Sequence, residues 1–246
     1  MSSSVKKKVV YLGSKNIGYE CLKILHDNSD ALNIEIVGID SSSRGDEINK
    51  YVNEVGLSHL NKSIPPCDII ISVQYHRILS DKELLMAMDR AINLHMAPLP
   101  EYRGCNQFSF AIIDGATEFG ATLHEMLPGI DSGPIVAETR FSIDNDLWVK
   151  DLFDLTCKES VKLFKESLPI LISGDYQAID QSEFLHQRSS SFHYRSEIQD
   201  LKMIDLNWPL DKVEKHLRAT MMPGFGRPYI IISGKKVYFQ TDEKNN

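Results

Sequence analysis

Four apolar runs alternate with stretches of helical periodicity over the first 95 residues, and no other feature of the chain narrows its fold so far. Val5 to Leu12 closes on Val9-Val10-Tyr11-Leu12 before Gly13, as in a parallel strand covered on both faces. Residues 15–28 then place Ile17, Cys21, Leu22, Ile24 and Leu25 at helical spacing. Asn33 to Ile39 reads as a second strand, ending at Asp40 and the loop Ser41-Ser42-Ser43-Arg44-Gly45. Asp46 to Val55 reads as a helix, and Cys67 to Val73 as a third strand after Pro65-Pro66. Ser80-Asp81-Lys82-Glu83 has the form of a capping box and predicts a helix through Met88. Ala91 to His95 is a short strand stopped by Pro98 and Pro100. Strand–helix alternation of this kind requires right-handed crossovers, hence an α/β fold with a doubly wound, mostly parallel, Rossmann-like sheet.

Gly120 to Leu127 and Pro134 to Phe141 predict two further strands, joined by the turn Pro128-Gly129-Ile130-Asp131-Ser132-Gly133. Asp144 or Asn145 is placed to cap the longest helix, with Leu147, Val149, Leu152, Leu155, Val161 and Leu163 on its apolar face and its end near Gly174. Periodicity vanishes over His186-Gln187-Arg188-Ser189-Ser190-Ser191, the best candidate for a linker. The expected division is a catalytic domain at 1–178 and a small C-terminal α+β subdomain at 186–246. The latter holds a helix at 210–220 and a hairpin over Tyr229 to Phe239 that turns at Ser233-Gly234-Lys235-Lys236.

The chain has 246 residues, a formal charge of −7 and 25% charged residues. A net negative charge disfavours nucleic acid as a partner, because that binding relies on Lys and Arg neutralising phosphates. No apolar run reaches the ~18 residues of a membrane span. Residues 1–10 show no signal-peptide pattern, and the four cysteines, Cys21, Cys67, Cys105 and Cys157, form no C-x-x-C pair. The expectation is an acidic cytoplasmic protein with reduced thiols.

Two familiar motifs are incomplete. Gly13-Ser14-Lys15-Asn16-Ile17-Gly18 has the two glycines of a Walker A loop, but Tyr19-Glu20 replaces the Lys-Ser/Thr pair. It also lacks the middle glycine of the dinucleotide fingerprint, although Asp40 stands where a ribose-binding acid would. A tight strand-to-helix turn explains it, and the helix start beside Ser14 and Lys15 can still attract an anionic group. His95, His124 and Asp131 comprise a two-histidine, one-carboxylate set, but their spacing matches no short metal signature, and no metal is expected.

Asn93-Leu94-His95 closes the fourth expected strand, at the edge where open α/β sheets bind ligands. Positions i and i+2 share a face, so both polar side chains project together. Asn93 can donate amide hydrogens to a developing oxyanion, and His95 can give or take a proton near neutral pH. Asp131 sits in a Gly-Ile-Asp-Ser-Gly-Pro turn, where a carboxylate is either presented to a cleft or used in an Asx turn. Spacing alone leaves both readings open.

Taken together, Asn93-Leu94-His95, Leu99-Pro100-Glu101-Tyr102-Arg103-Gly104, Gly120-Ala121-Thr122-Leu123-His124 and Asp131-Ser132-Gly133-Pro134-Ile135 resemble the folate-dependent formyltransferase family. Its signature is an Asn-x-His pair followed by a catalytic Asp in a D-x-G-P-I context; here 131 minus 95 is 36. The resemblance covers residues 5–175, with a weaker echo at Pro223-Gly224-Phe225. Within the family the chain most resembles the sugar-nucleotide N-formyltransferases. The segment Tyr102-Arg103-Gly104-Cys105-Asn106, the short tail and the negative charge all separate it from the tRNA enzymes.

The resemblance implies transfer of a formyl group from N10-formyltetrahydrofolate to the amine of a dTDP-linked amino-dideoxy sugar, for a surface polysaccharide such as O-antigen. It implies Asn93, His95 and Asp131 as the catalytic set, with Asp131 as base, and His124 orienting Asp131 or the cleft. The folate pocket carries over to Tyr75, His76, Arg77, Ile78 and Leu79 and to the backbone near Ile130. Candidate contacts to the sugar nucleotide are Ser14, Lys15, Tyr102, Arg103, Asn106, Tyr194 and Arg195, with Phe192 as a further aromatic. A diphosphate demands a local basic patch, first sought at Lys15, Arg77, Arg103 and Arg195. A homodimer through the C-terminal region is the expected assembly. Other acceptors within the family (methionyl-tRNA, glycinamide ribonucleotide), a hydrolase using water as acceptor, and a binding protein without turnover stay open.

Overall fold

The computed structural model describes residues 5–42 and 46–240. Met1 to Ser4 and Ser43-Arg44-Gly45, the end of the loop expected after the second strand, lie outside the described residues. The chain order begins β1 (Lys7–Gly13), α1 (Lys15–Asp27), β2 (Ile34–Ser41), α2 (Asp46–Val55), β3 (Cys67–Val73), α3 (Asp81–Leu84) and β4 (Ala87–His95). It continues with β5 (Arg103–Gly104), α4 (Gln107–Asp114), β6 (Glu118–Glu125), β7 (Ile135–Ser142) and α5 (Val149–Ser173). The last part holds β8 (Phe192–His193), α6 (Ile198–Lys202), α7 (Leu210–Thr220), β9 (Tyr229–Ile232) and β10 (Lys235–Tyr238).

Six strands form one sheet in the order β2-β1-β3-β4-β6-β7. The first four are parallel; β6 runs antiparallel to β4, and β7 antiparallel to β6. The apolar runs seen in the sequence are continuous because the sheet is covered twice. In β1, Val9 and Tyr11 pack into the cluster shared with α1, α2 and α5, whereas Val10 and Leu12 face a second cluster. β3 divides likewise, with Ile69, Ile71 and Val73 on one side and Ile70 on the other. Ile64, Leu79 and Leu84 help cover that second face.

Two local expectations are corrected. The capping box at Ser80 and Glu83 is present, yet the helix ends at Leu84 instead of Met88. Residues 87–95 pair with β3, beginning at Cys67 with Ala87, so strand pairing overrides the helical propensity of Leu84 to Met88. Asp144 and Asn145 do not cap α5, whose N-cap is Trp148. They form a turn closed by Leu147 N–H on the Asp144 carbonyl (3.2 Å), and the Asn145 and Leu147 carbonyls accept from Arg218. The helix ends as expected at Gly174, whose φ of 84° supplies the left-handed C-terminal residue.

The polarity of residues 186–191 is taken up by pairing. Arg188 forks onto Glu138 (2.6 and 2.9 Å) and donates to the Leu99 carbonyl, and Ser191 bonds the backbone at Pro100 and Glu101. β5 and β8 then pair in parallel, Arg103 with Phe192 and Gly104 with His193. Beyond them α7 lies against α4, where Ala219 joins the third apolar cluster. The hairpin β9–β10 turns on Ser233 and Gly234, with φ values of 49° and 77° that suit a tight primed turn. Lys235 and Lys236 therefore belong to β10 rather than to the turn.

Candidate active site

The parallel strands all point their carboxyl ends at one side of the sheet, and a cleft of about 1310 Å³ opens there. β4 and β6 build its floor. Their register sets Asn93 opposite His124 and His95 opposite Thr122, so cross-strand pairing brings together side chains 31 residues apart in sequence.

Hydrogen-bond partners fix the proton positions. His95 Nε2 lies 2.7 Å from the Tyr102 carbonyl, which can only accept, so Nε2 carries a hydrogen and Nδ1 is the atom left for the cleft. His124 Nδ1 likewise donates to the Glu125 carbonyl at 2.8 Å. In the neutral ring Nε2 then accepts, and Asn93 Nδ2 supplies the hydrogen at 3.1 Å. One amide hydrogen of Asn93 is thereby committed to His124 and the other is left for a ligand.

Asp131 stands between the two rings. Its carboxylate is 3.5 Å from His95 Nδ1 and 3.5 Å from His124 Nε2, and the Gly104 N–H donates to it at 3.0 Å. Burial alone would raise its pKa, but the positive charge of the two imidazoles in their protonated form, together with the Gly104 N–H, outweighs that and holds the carboxyl well below the ordinary carboxylate range. The loop is shaped for this task. Asp131 adopts a left-handed φ of 49°, and a Cβ at Gly133 would collide with the Glu125 carbonyl. Gln181, buried in a single 3-10 turn, donates at 2.8 Å to both the Asp131 and Gly133 carbonyls.

All six expected folate residues, Tyr75, His76, Arg77, Ile78, Leu79 and Ile130, line the cleft, as do Lys15, Asn106, Tyr194 and Arg195. Ser14, Tyr102 and Arg103 do not line it. Ser14 is buried, its hydroxyl on Ser42 and its N–H on the Val73 carbonyl. Tyr102 is buried too, and burial, with Asp114 adding to it, pushes its phenol up; its use to the site is the carbonyl that binds His95. Arg103 reaches along the chain to Ser190 and Ser191. Three expected contacts are already engaged: Asn106 donates to the Tyr194 carbonyl at 2.9 Å, and the other two are basic. Arg77 forks onto Glu83 (2.6 and 3.0 Å), which pulls the Glu83 carboxyl down to about 2, and Lys15 donates to Gln74 at 2.8 Å. Asp40, the candidate ribose acid, accepts from the Tyr75 phenol, which is pushed up to about 12 mainly by burial and then by Asp40.

Gln181, Lys202, Arg227 and Lys236 escaped the sequence reading. The last three line the cleft from the C-terminal part, and the Pro223-Gly224-Phe225 echo beside Arg227 was the one signal pointing to them. Among the described residues no group of three His, Cys, Asp or Glu side chains is arranged to hold a metal ion, and all four cysteines are free thiols.

An Asn-x-His strand faces a loop aspartate on a sheet that turns antiparallel at β6, and within this region residues 55–168 match a family model described as formyl transferase. The chain is 31% identical over 191 residues to the bifunctional polymyxin resistance protein ArnA of Wigglesworthia glossinidia brevipalpis, a match over 75% of this chain and 28% of that protein. It thus spans only part of that curated relative. Among solved structures, an N-formyltransferase from Helicobacter canadensis in complex with folinic acid and dTDP-3-aminofucose superposes with a TM-score of 0.76. It shares 19% identity, over 94% of this chain and 86% of that one. A 4-N formyltransferase from Francisella tularensis gives 0.76 at 19% identity, over 97% and 98% of the two chains. At these identities the likeness is one of fold.

Proposed function

We propose that this protein transfers the formyl group of N10-formyltetrahydrofolate to the amine of a dTDP-linked amino-dideoxy sugar, in the cytoplasm, toward a surface polysaccharide. The observation that carries the reading is the Asp131 carboxylate held 3.5 Å from both His95 and His124 on the wall of the cleft. The cleft's volume, about 1310 Å³, exceeds the ~300–1,000 Å³ common for a single drug-sized ligand and leaves room for a donor and an acceptor together. The ligands of the Helicobacter canadensis protein support the same pairing.

The amine must arrive neutral. Its lone pair forms the new C–N bond to the formyl carbon while the carbonyl π electrons move onto oxygen. The free amide hydrogen of Asn93 and a proton on His95 Nδ1 stabilise that oxyanion. Asp131, ionised at neutral pH, accepts the proton lost by the amine, directly or through water. Collapse then breaks the bond to N10, which leaves with a proton relayed from His95. His124 holds Asn93 and Asp131 in register. The loop 75–79 and Ile130, with Ile78 and Ile130 exposed to the cleft, take the folate, its ring edge read by backbone groups. Residues 186–240 meet the nucleotide and form the interface of a homodimer, for which the exposed Ile231, Ile232 and Val237 of the hairpin supply apolar surface.

The test is an assay of the purified protein with N10-formyltetrahydrofolate and a panel of dTDP-amino sugars, 3-amino and 4-amino. Formylated sugar is expected from at least one member, with turnover reduced about a hundredfold or more by Asn93→Ala, His95→Asn or Asp131→Asn. Formate release without any amine would instead mark a hydrolase, and near-normal turnover of the His95 or Asp131 variant would remove the assigned roles.

A further inference from the structure

Lys202 ends α6 with its side chain turned into the cleft; it is 7% exposed, and among the described residues its amine has no hydrogen bond or ion pair. Lysine is almost never buried without a partner, because desolvating an unpaired ammonium is costly. Burial indeed lowers its pKa, with no charged group near enough to oppose the shift. Such a residue is explained by a ligand that brings the missing negative charge.

Its surroundings specify the ligand. Met203 bridges to Tyr229, and the Ile204 N–H bonds the Tyr229 carbonyl at 2.9 Å, which lays the end of α6 alongside residues 226–229. The amine accordingly lies beside Gly226, where an added Cβ would stand 3.5 Å from it, and Arg227 follows directly. Lys236 sits 4.0 Å over the Tyr229 ring. Arg195, Arg227 and Lys236 line the same cleft, and among the described residues none of the three has an ion pair. The one carboxylate in that lining is Asp131, already held by His95 and His124. Phe192, Tyr194, Phe225 and Tyr238 supply aromatic faces in the same part of the chain. Several unpaired cations beside aromatic faces match a nucleoside diphosphate, with its charges on phosphate and a ring to stack.

We propose that Lys202, with Arg227 and Lys236 beside it and Arg195 on the same wall, is the diphosphate subsite of the cleft. The proposal rests on the sugar-nucleotide reading above and replaces the basic patch sought at Lys15, Arg77 and Arg103. A folate also carries anionic carboxylates, so the experiment must separate the two sources.

Titration calorimetry on the whole chain, wild type and Lys202→Met, with dTDP, thymidine, inorganic pyrophosphate and folinic acid, makes that separation. Lys202→Met keeps the stem and removes the charge. It should weaken dTDP and pyrophosphate by about tenfold or more while leaving folinic acid unchanged. The Tm of the free variant should rise, because an uncompensated buried charge is gone, whereas loss of a structural contact would lower it. Unchanged dTDP affinity, or a loss confined to folinic acid, overturns the subsite. If the wild type formylates a dTDP-amino sugar and Lys202→Met keeps its KM, the subsite falls and the reaction stands. If no dTDP-amino sugar reacts but pyrophosphate binding still depends on Lys202, the subsite stands and the acceptor reading falls. A wild type that binds neither dTDP nor pyrophosphate overturns both.

Discussion

Asp131 shows how a single side chain is prepared before any ligand arrives. Its folded pKa is depressed, so it contributes stability at pH values above the unfolded carboxylate's ~3.9, and that contribution fades as pH falls toward the lower folded value. The Tm gap between the wild type and Asp131→Asn is therefore expected to be full at pH 7 and to close below about pH 4 in thermal scans. Gln181 braces the loop that carries this carboxylate, through main-chain carbonyls. Gln181→Ala leaves one buried and one part-buried carbonyl without this donor, which is expected to cost about 1–3 kcal/mol and to lower kcat more than the KM for folate. Asn93, His95 and Asp131 were singled out because several ordered motifs together resemble a known family; spacing alone left Asp131 open between a cleft carboxylate and an Asx turn. Gln181 and Lys202 were not: each is a common surface residue type, and Gln181 binds, from 50 and 48 positions away, backbone carbonyls that carry no residue identity.

At the scale of elements, the strands were readable wherever both faces are covered, since β1 and β3 then show unbroken apolar runs. The sequence misled where two local preferences competed. Ser80 to Met88 has helical capping and helical residues, but only four residues stay helical because β3 offers a full ladder to residues 87–95. The loop that carries Asp131 depends on the close approach of Gly133 to the Glu125 carbonyl. Gly133→Ala must push that loop off β6, and we expect about 1–3 kcal/mol of lost stability in denaturant melts together with loss of formyl transfer. The same substitution at Gly224, where nothing lies near the added methyl, measures the cost of positive φ alone.

For the whole molecule, the formal charge of −7 hides a cleft whose lining holds more cations than acids. Net charge could suggest which partners to discard but not where an anion would sit, because the basic residues come from positions 15 to 236 and meet only in the fold. The hairpin β9–β10 leaves Ile231, Ile232, Val237 and Tyr238 each about half exposed, at 50, 51, 45 and 53%. Sedimentation of the wild type is expected to give a dimer, and Ile231→Asp with Val237→Asp a monomer. A monomeric wild type would remove the assembly reading.

The pairing of β5 with β8 carries a further consequence. Gly104 donates its N–H to Asp131 and, on its other side, lies so close to the His193 carbonyl that no side chain fits, while the Cys105 N–H bonds that carbonyl at 2.9 Å. Residues 103–105 are thus a shared rung, joining the carboxylate to the cleft-lining segment at Phe192 and His193. The join is made by main-chain atoms, which every amino acid possesses. The side chain at 192 can therefore be exchanged without re-siting Asp131, whereas His193 is further held by Glu197 and by stacking on Phe110, so under the proposed function Phe192 is the position at which ligand choice could be altered apart from the chemistry at Asp131.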